Sequence, residues 1–261
     1  MRKVIYLTLV VMIAASTAAA QFVAPGGTIP AVSGSVNGEN GTVWRSDVSV
    51  LNLGSAATSV VFVLFPEIKN SGPVFEVQQS DPITIEGNAQ LTISSILTSL
   101  FNERGKNGAI SVFSTDGSPL VLASRTFTPG PTGGSFGLNV NGVLVADTAW
   151  IANVEHDGFF RTNVGVFTPI NPQVGQSLIF TVSIFDAAGV EVGSGSLIFD
   201  EAGMRQKNLD FFGVDGALLD GWIEIRCSDP TAIWYAYATV IDNVTGDSVY
   251  RAALTQQSSI P

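Results

Sequence analysis

The chain carries few of the residues that do chemistry. Of its 261 residues one is cysteine, one is histidine and three are methionine, and only 13% are charged. A single thiol, Cys227, cannot close an internal disulfide. A single histidine, His156, has no second imidazole or cysteine pair to complete a zinc site. Basic residues are also scarce, with 12 Lys and Arg against 22 Asp and Glu for a net charge of −10. Phosphate backbones and anionic membrane surfaces are bound through Lys and Arg, so neither is expected as a partner. The G-x-S-x-G spacing occurs once, as "GGSFG" (133–137), with no helical pattern after it and so no nucleophile elbow, and the chain has no H-E-x-x-H and no glycine-rich loop leading from a strand into a helix. Those motifs carry nucleophile, zinc and phosphate chemistry respectively. No cofactor and no catalytic set are therefore expected.

What is present begins with an address. The opening "MRKVIYLTLVVMIAASTAAAQF" has a basic start at Arg2 and Lys3, an apolar run from Val4 to Ala15, and small residues at Ala18-Ala19-Ala20. This is the three-part pattern of a secretory signal peptide over 1–20, with Gln21 as the new N-terminus. The apolar run is too short for a spanning helix, so no membrane span is expected after cleavage. Cleavage removes Arg2 and Lys3 and leaves 10 basic against 22 acidic residues, a net charge of −12.

Hydrophobic residues make up 46% of the chain, which is incompatible with general disorder. They fall in short β-branched and aromatic runs such as "VWRSDVSVLNL", "TSVVFVLF", "LIFTVSIFD" and "AIWYAYATVI", bounded by turn clusters such as "TDG", "DAAG" and "NVTGD". Such runs read as β-strands. One helical turn is expected at "SSILTSLFN" (94–102), answered by "KNLDFFG" (207–213), with Ser94 or Asn208 as cap.

The runs occur twice. Arg45-Ser46-Asp47-Val48 returns as Arg161-Thr162-Asn163-Val164, an offset of 116. Residues 108–136 align without gaps on 221–249, with 8 of 29 positions identical, among them Gly108, Ile110, Asp116, Ala123 and Thr126. About two identities would arise by chance. A unit of this length, longer than solenoid or propeller repeats, suits an immunoglobulin-like sandwich. A single large barrel is the alternative. The expected fold is all-β: two tandem immunoglobulin-like β-sandwich domains related by internal duplication, at 30–147 and 148–261, after an N-terminal linker at 21–29. The pairing of "WRSDVSVLN" with "SRTFTPGPTGGSFG", and of "FRTNVGVF" with "VIDNVTGDSVY", resembles repeats in secreted bacterial proteins with tandem immunoglobulin-like domains. That resemblance implies the fold and export and supplies no active site.

Few side chains qualify as site candidates. Arg45 and Arg161 recur at the same place in both copies, which suits a structural contact common to the two units. Asp242, Asn243 and Asp247 in "DNVTGD" offer hard oxygens suited to calcium, but their spacing is not that of a calcium loop, and a hairpin explains them better. Tyr235 and Tyr237 alternate with Trp234, Ala236 and Ala238. With the latter set inward, the tyrosines form a flat patch for stacking on sugars or on another domain. His156, in "NVEHDG", reads as a surface loop, and Cys227, ending "WIEIRC", as a buried and unreactive hydrophobe.

The expected function is that of a secreted, non-catalytic cell-surface or extracellular structural or adhesion module, with self-association possible and a protein or glycan partner. The alternative is a carbohydrate-binding protein or an accessory to a polysaccharide-acting enzyme. Sandwich folds host both kinds of function.

Overall fold

The computed structural model describes residues 24–38, 41–69, 76–130, 133–142, 144–145 and 147–255. The expected signal peptide (1–20) and the first residues of the expected linker lie outside the described residues. Among the described residues no helix is long and apolar enough to cross a membrane.

The first half contains β1 (Gly26–Asn37), β2 (Val43–Asn52), β3 (Thr58–Pro66), β4 (Gln78–Gln79), β5 (Ile83–Ile85), β6 (Gln90–Ile93), helix α1 (Ile96–Phe101), β7 (Lys106–Ser114), β8 (Leu120–Pro129) and β9 (Ser135–Leu138). The second contains β10 (Leu144–Val145), β11 (Thr148–His156), β12 (Phe160–Thr168), β13 (Leu178–Phe185), β14 (Glu191–Phe199) and β15 (Gly203–Asn208). After a 3₁₀ turn (Leu209–Phe212) follow β16 (Leu218–Cys227), β17 (Trp234–Asp242), β18 (Ser248–Ala252) and β19 (Leu254–Thr255). All the strand ladders are antiparallel. The chain is thus all-β, as its short β-branched runs require.

In the second half two sheets, β14-β13-β16-β11-β19 and β10-β17-β12-β15 with β18 on β17, pack face to face. Their shared core includes Ile151, Val164, Val166, Phe180, Val182, Phe199 and Trp234. Alternation puts these inward, and burial of such side chains at roughly 1.5–3 kcal/mol each is the main stabilising term. In the first half the same layers are joined into one nine-stranded sheet because β1 pairs with β7 on one side and with β2 on the other. The strand can do this because it is bent. Its register shifts between Ile29 and Val32, around Pro30, which has no N–H to give a ladder, and again at Ser35, whose φ is +62°.

The pairing scheme of the first half is repeated in the second. β1–β7, β2–β8, β2–β6, β3–β7 and β3–β5 correspond to β11–β16, β12–β17, β12–β15, β13–β16 and β13–β14. Even the first bulge recurs: Val32 faces Gly108 after it, as Val154 faces Gly221. Val48 and Val164 are both fully buried, opposite Ser124 and Ala238. That last register corrects the gapless alignment, which pairs Ala123 with Ala236. Ala123 is exposed and Ala236 is core, whereas Ser124 and Ala238 share the inward face. One residue more in the turn after β16 shifts the match, and a one-residue slip exchanges the two faces of a strand.

Compared with the immunoglobulin order, the two middle pairings are kept, those of strands two with five and three with six, while the first and seventh strands exchange sheets. The helical turns form where expected. Asn208 caps the second by accepting from the Phe211 N–H, while the first begins at Ser95, in a left-handed conformation with no side-chain cap. The Asp47 carboxylate takes the Ser95 N–H instead, at 2.8 Å.

Candidate functional site

The two halves meet through side chains on the outer faces of β3 and β7. Val61, Val63, Phe65, Ala109 and Phe113 pack on Phe167, Met204 and Tyr235. This is why "VVFVLF" has no polar alternation: Phe62 and Leu64 fill the first core while Val61, Val63 and Phe65 fill the interface. Phe167 meets Phe65 edge-on at 5.1 Å and stacks on Tyr235 at 5.7 Å. A main-chain bond from Ile68 N–H to the Met204 carbonyl, 2.7 Å, continues the contact.

Beside this seal the halves part to leave a cleft of about 310 Å³ between β1, Trp44 and the outer face of β12, β15 and β17. Its volume is at the lower bound of small-ligand sites, and its concavity makes it the first candidate. Asn107, Arg161, Asn163, Gln206, Tyr237 and Thr239 are among its polar lining residues. Tyr237 donates to Gln206 Oε1 at 2.8 Å and stacks on Tyr250 at 5.9 Å. Complete burial, aided by the charges of Glu67 and Tyr250, pushes its phenol well above the usual tyrosine range. Asn107 accepts from Ser33 Oγ at 2.8 Å and donates to Glu67 Oε2 at 3.1 Å. The described lining contains no Asp, Glu or His. Amides, hydroxyls and one guanidinium can hold a small polar molecule but do not move protons at neutral pH.

Arg161 stands in this cleft and donates to Asn243 Oδ1. Its repeat equivalent Arg45 does not reach the cleft. It lies over the Phe127 ring at 4.8 Å, with Arg125 at 4.6 Å from the same ring. The repeated arginines therefore share a strand position and a structural kind of role, but not a site.

Tyr235 and Tyr237 require a correction. Trp234, Ala236 and Ala238 do face the core. The tyrosines, however, are 4% and 0% exposed, so they serve as an internal interface and give no open platform for a sugar. Strand alternation fixes which way they point, and the first half of the chain covers what they point at.

The calcium candidates are also committed elsewhere. Asp242 Oδ1 accepts from the N–H groups of Val244 and Thr245 at 2.7 and 3.0 Å, and Asp247 Oδ1 from that of Ser248 at 2.9 Å. These bonds hold the Asp242 carboxyl below its ordinary value, backbone Thr245 first. Asn243 Oδ1 is taken by Arg161. The loop is a hairpin turn closed by Gly246 at φ +76°. Among the described residues no group of three or more His, Cys, Asp or Glu is placed to hold a metal ion.

His156 is not in a loop. It ends β11 opposite Leu218, its side chain is only 14% exposed, and Nε2 lies 2.8 Å from Asp210 Oδ1. Cys227 is half-buried against the second core, and burial raises its thiol pKa.

Sequence reasoning overlooked Trp150 and Trp222. Both are half-exposed, on adjacent strands of the sheet remote from the interface. The signal was their phase: Trp150 alternates with buried Ala149 and Ile151, and Trp222 with Ile223 and Ile225.

No protein-family model matches this chain, and no curated protein matches it in sequence. Among solved structures, a glycosyl hydrolase family 2 member from Bacteroides cellulosilyticus is 12% identical, over 86% of this chain and 25% of its own, with a TM-score of 0.18. The infectious bursal disease virus Gt strain structure is 11% identical over 91% of this chain and 77% of its own, TM-score 0.23. The CBM22-1-CBM22-2 tandem domain of Paenibacillus barcinonensis Xyn10C is 11% identical over 85% of each, TM-score 0.18. The chain spans a quarter to a third of the length of the first two solved structures it matches, the second being a putative beta-galactosidase from Bacteroides fragilis at 32%. Likenesses this distant assign neither a family nor a function.

Proposed function

We propose that this protein is an exported, non-catalytic module of the cell surface or extracellular matrix. Two duplicated β-sandwich units, divided near residue 147, act in it as one rigid body. The observation that carries this reading is the aromatic seal of Phe65, Phe167 and Tyr235, with Tyr237 and Tyr250 stacked beside it. Domain pairs that open and close around a substrate meet through small, polar contacts. Here the facing surfaces are apolar and continuous with the cores, so the outer faces are presented in fixed relation, as adhesion or assembly requires. The opening 20 residues support export, and the net charge of −10 supports a partner other than nucleic acid. The partner is a protein or a glycan of the cell surface.

Fractionation of the native host with mass spectrometry tests the reading. The expected result is protein beginning at Gln21 in the extracellular or surface fraction and releasable by external protease. Protein retained in the cytoplasm with Met1 intact would contradict it.

A further inference from the structure

The second half meets the first mainly through β12, β15, β17 and β18, all from one sheet. The other sheet, β14-β13-β16-β11-β19, turns its outer face away. Alternation sets Trp150, Phe185 and Trp222 on that face, each half-buried, the two tryptophans between buried neighbours and Phe185 after buried Ile184. Phe185 and Trp222 lie opposite one another across β13 and β16 and stack, with ring centroids 4.0 Å apart and planes 10° from parallel. On the far side of Trp222 the facing residue is Ala152, exposed and too small to cover an indole. Trp150 is one diagonal step away and donates Nε1–H to Glu224 Oε2 at 3.2 Å. The other Glu224 oxygen forms an ion pair with Arg226 Nε at 2.9 Å.

The face therefore combines partly exposed rings with fixed polar groups. Glu224 and Arg226 pair with each other, Glu191 opposite Phe185 adds one acid at the end of the face, and the rows beside them carry the hydroxyls of Thr181, Ser183 and Ser194. A protein interface buries a core depleted of charge behind a polar rim, whereas here charge and hydroxyls run through the middle. Anionic ligands are repelled by a chain of net charge −10. What fits is a molecule with apolar C–H faces, many hydroxyls, no charge and an extended form. We infer that this sheet face binds a neutral polysaccharide chain, with Trp150 and Trp222 stacking on sugar rings and Glu224 and Arg226 bonding to hydroxyls. The inference goes beyond the role proposed above and does not depend on export.

The test uses the chain from Gln21 onward, soluble xylan, mixed-linkage β-glucan, glucomannan and dextran as probes, and polygalacturonate as the anionic control. Affinity electrophoresis reads binding. Oxidation by N-bromosuccinimide, followed by peptide mass spectrometry, reads which tryptophans are covered. At least one neutral polysaccharide should retard the protein and slow oxidation of Trp150 and Trp222 severalfold, leaving Trp44 unchanged. Trp150→Ala and Trp222→Ala should each weaken retardation on the order of tenfold or more, as truncated aromatic anchors do. Retardation by none of the four, protection confined to Trp44, or variants that bind as the parent does would overturn it. A tryptophan-dependent dimer without polysaccharide binding would do the same. Because the oxidation footprint is taken on the unmutated protein, the result stands even where a variant fails to fold.

Discussion

Gly165 faces Tyr237 across β12 and β17, and the tyrosine ring lies over the glycine. A Cβ at this position would stand 2.1 Å from Cζ and 2.4 Å from the hydroxyl oxygen of Tyr237. The ring cannot swing away freely, being fully buried, bonded to Gln206 at 2.8 Å and stacked on Tyr250. Gly165→Ala must therefore displace it. Overpacking of this kind costs about 1–3 kcal/mol. Loss of the Tyr237–Gln206 bond adds about 1 kcal/mol, for a total on the order of 2–4 kcal/mol. Tyr237→Ala alone removes a large buried aromatic, at about 3–5 kcal/mol. In the double variant the new methyl group has room, so the pair should cost little more than Tyr237→Ala. The coupling energy is then about 2–4 kcal/mol. Urea unfolding of the four proteins measures it. Additive costs, or a Gly165→Ala change of less than about 0.5 kcal/mol, which is the scatter of surface substitutions, would refute the packing argument.

Other consequences are as direct. Phe167→Ala, at a fully buried interface position, should cost about 3–5 kcal/mol and split unfolding into two steps, one for each half; an unaltered single step would show that the seal is unimportant. Beyond residues 1–20 the chain holds three tyrosines, and burial raises Tyr235, Tyr237 and Tyr250 above the ordinary value of 10.0. Their stabilisation is complete below pH 10 and falls as the pH rises, because the unfolded chain loses these protons first. Tyrosinate absorbance should accordingly appear only together with unfolding, and gradual ionisation of the folded protein would contradict their burial. Cys227 should react with a disulfide reagent more slowly in the folded than in the unfolded chain, its thiol being raised by burial; equal rates would be inconsistent with that. Excess calcium should leave the thermal midpoint unchanged, because Asp242 and Asp247 are occupied by backbone donors. A rise that saturates with calcium would reverse that assignment.

The strands, the all-β class and both helical turns were legible because each rests on local patterns: β-branched runs, turn clusters, and a cap at Asn208. The direction of Trp234 was legible for the same reason. The fate of Tyr235 and Tyr237 was not, since alternation says which residues leave one core and not whether another part of the chain covers them. A clue was present in "VVFVLF" and "WYAYATVI", whose lack of polar alternation signals burial on both faces. The register of β8 against β17 was misjudged because five identities lying beyond the intervening turn outweighed the alternation of inward residues. Trp150 and Trp222 went unnoticed because each is a lone large aromatic in its strand. Only the sheet places them side by side.

Scanning calorimetry of the chain from Gln21 onward tests most directly whether the duplicated halves form one body. For 241 residues unfolding near 60 °C, an enthalpy of roughly 170 kcal/mol is expected at about 0.7 kcal/mol per residue. A welded pair predicts a single transition whose van't Hoff enthalpy approaches that calorimetric value. Two transitions, or a van't Hoff enthalpy near half the calorimetric one, would mean that the halves unfold independently and that the aromatic seal does not join them.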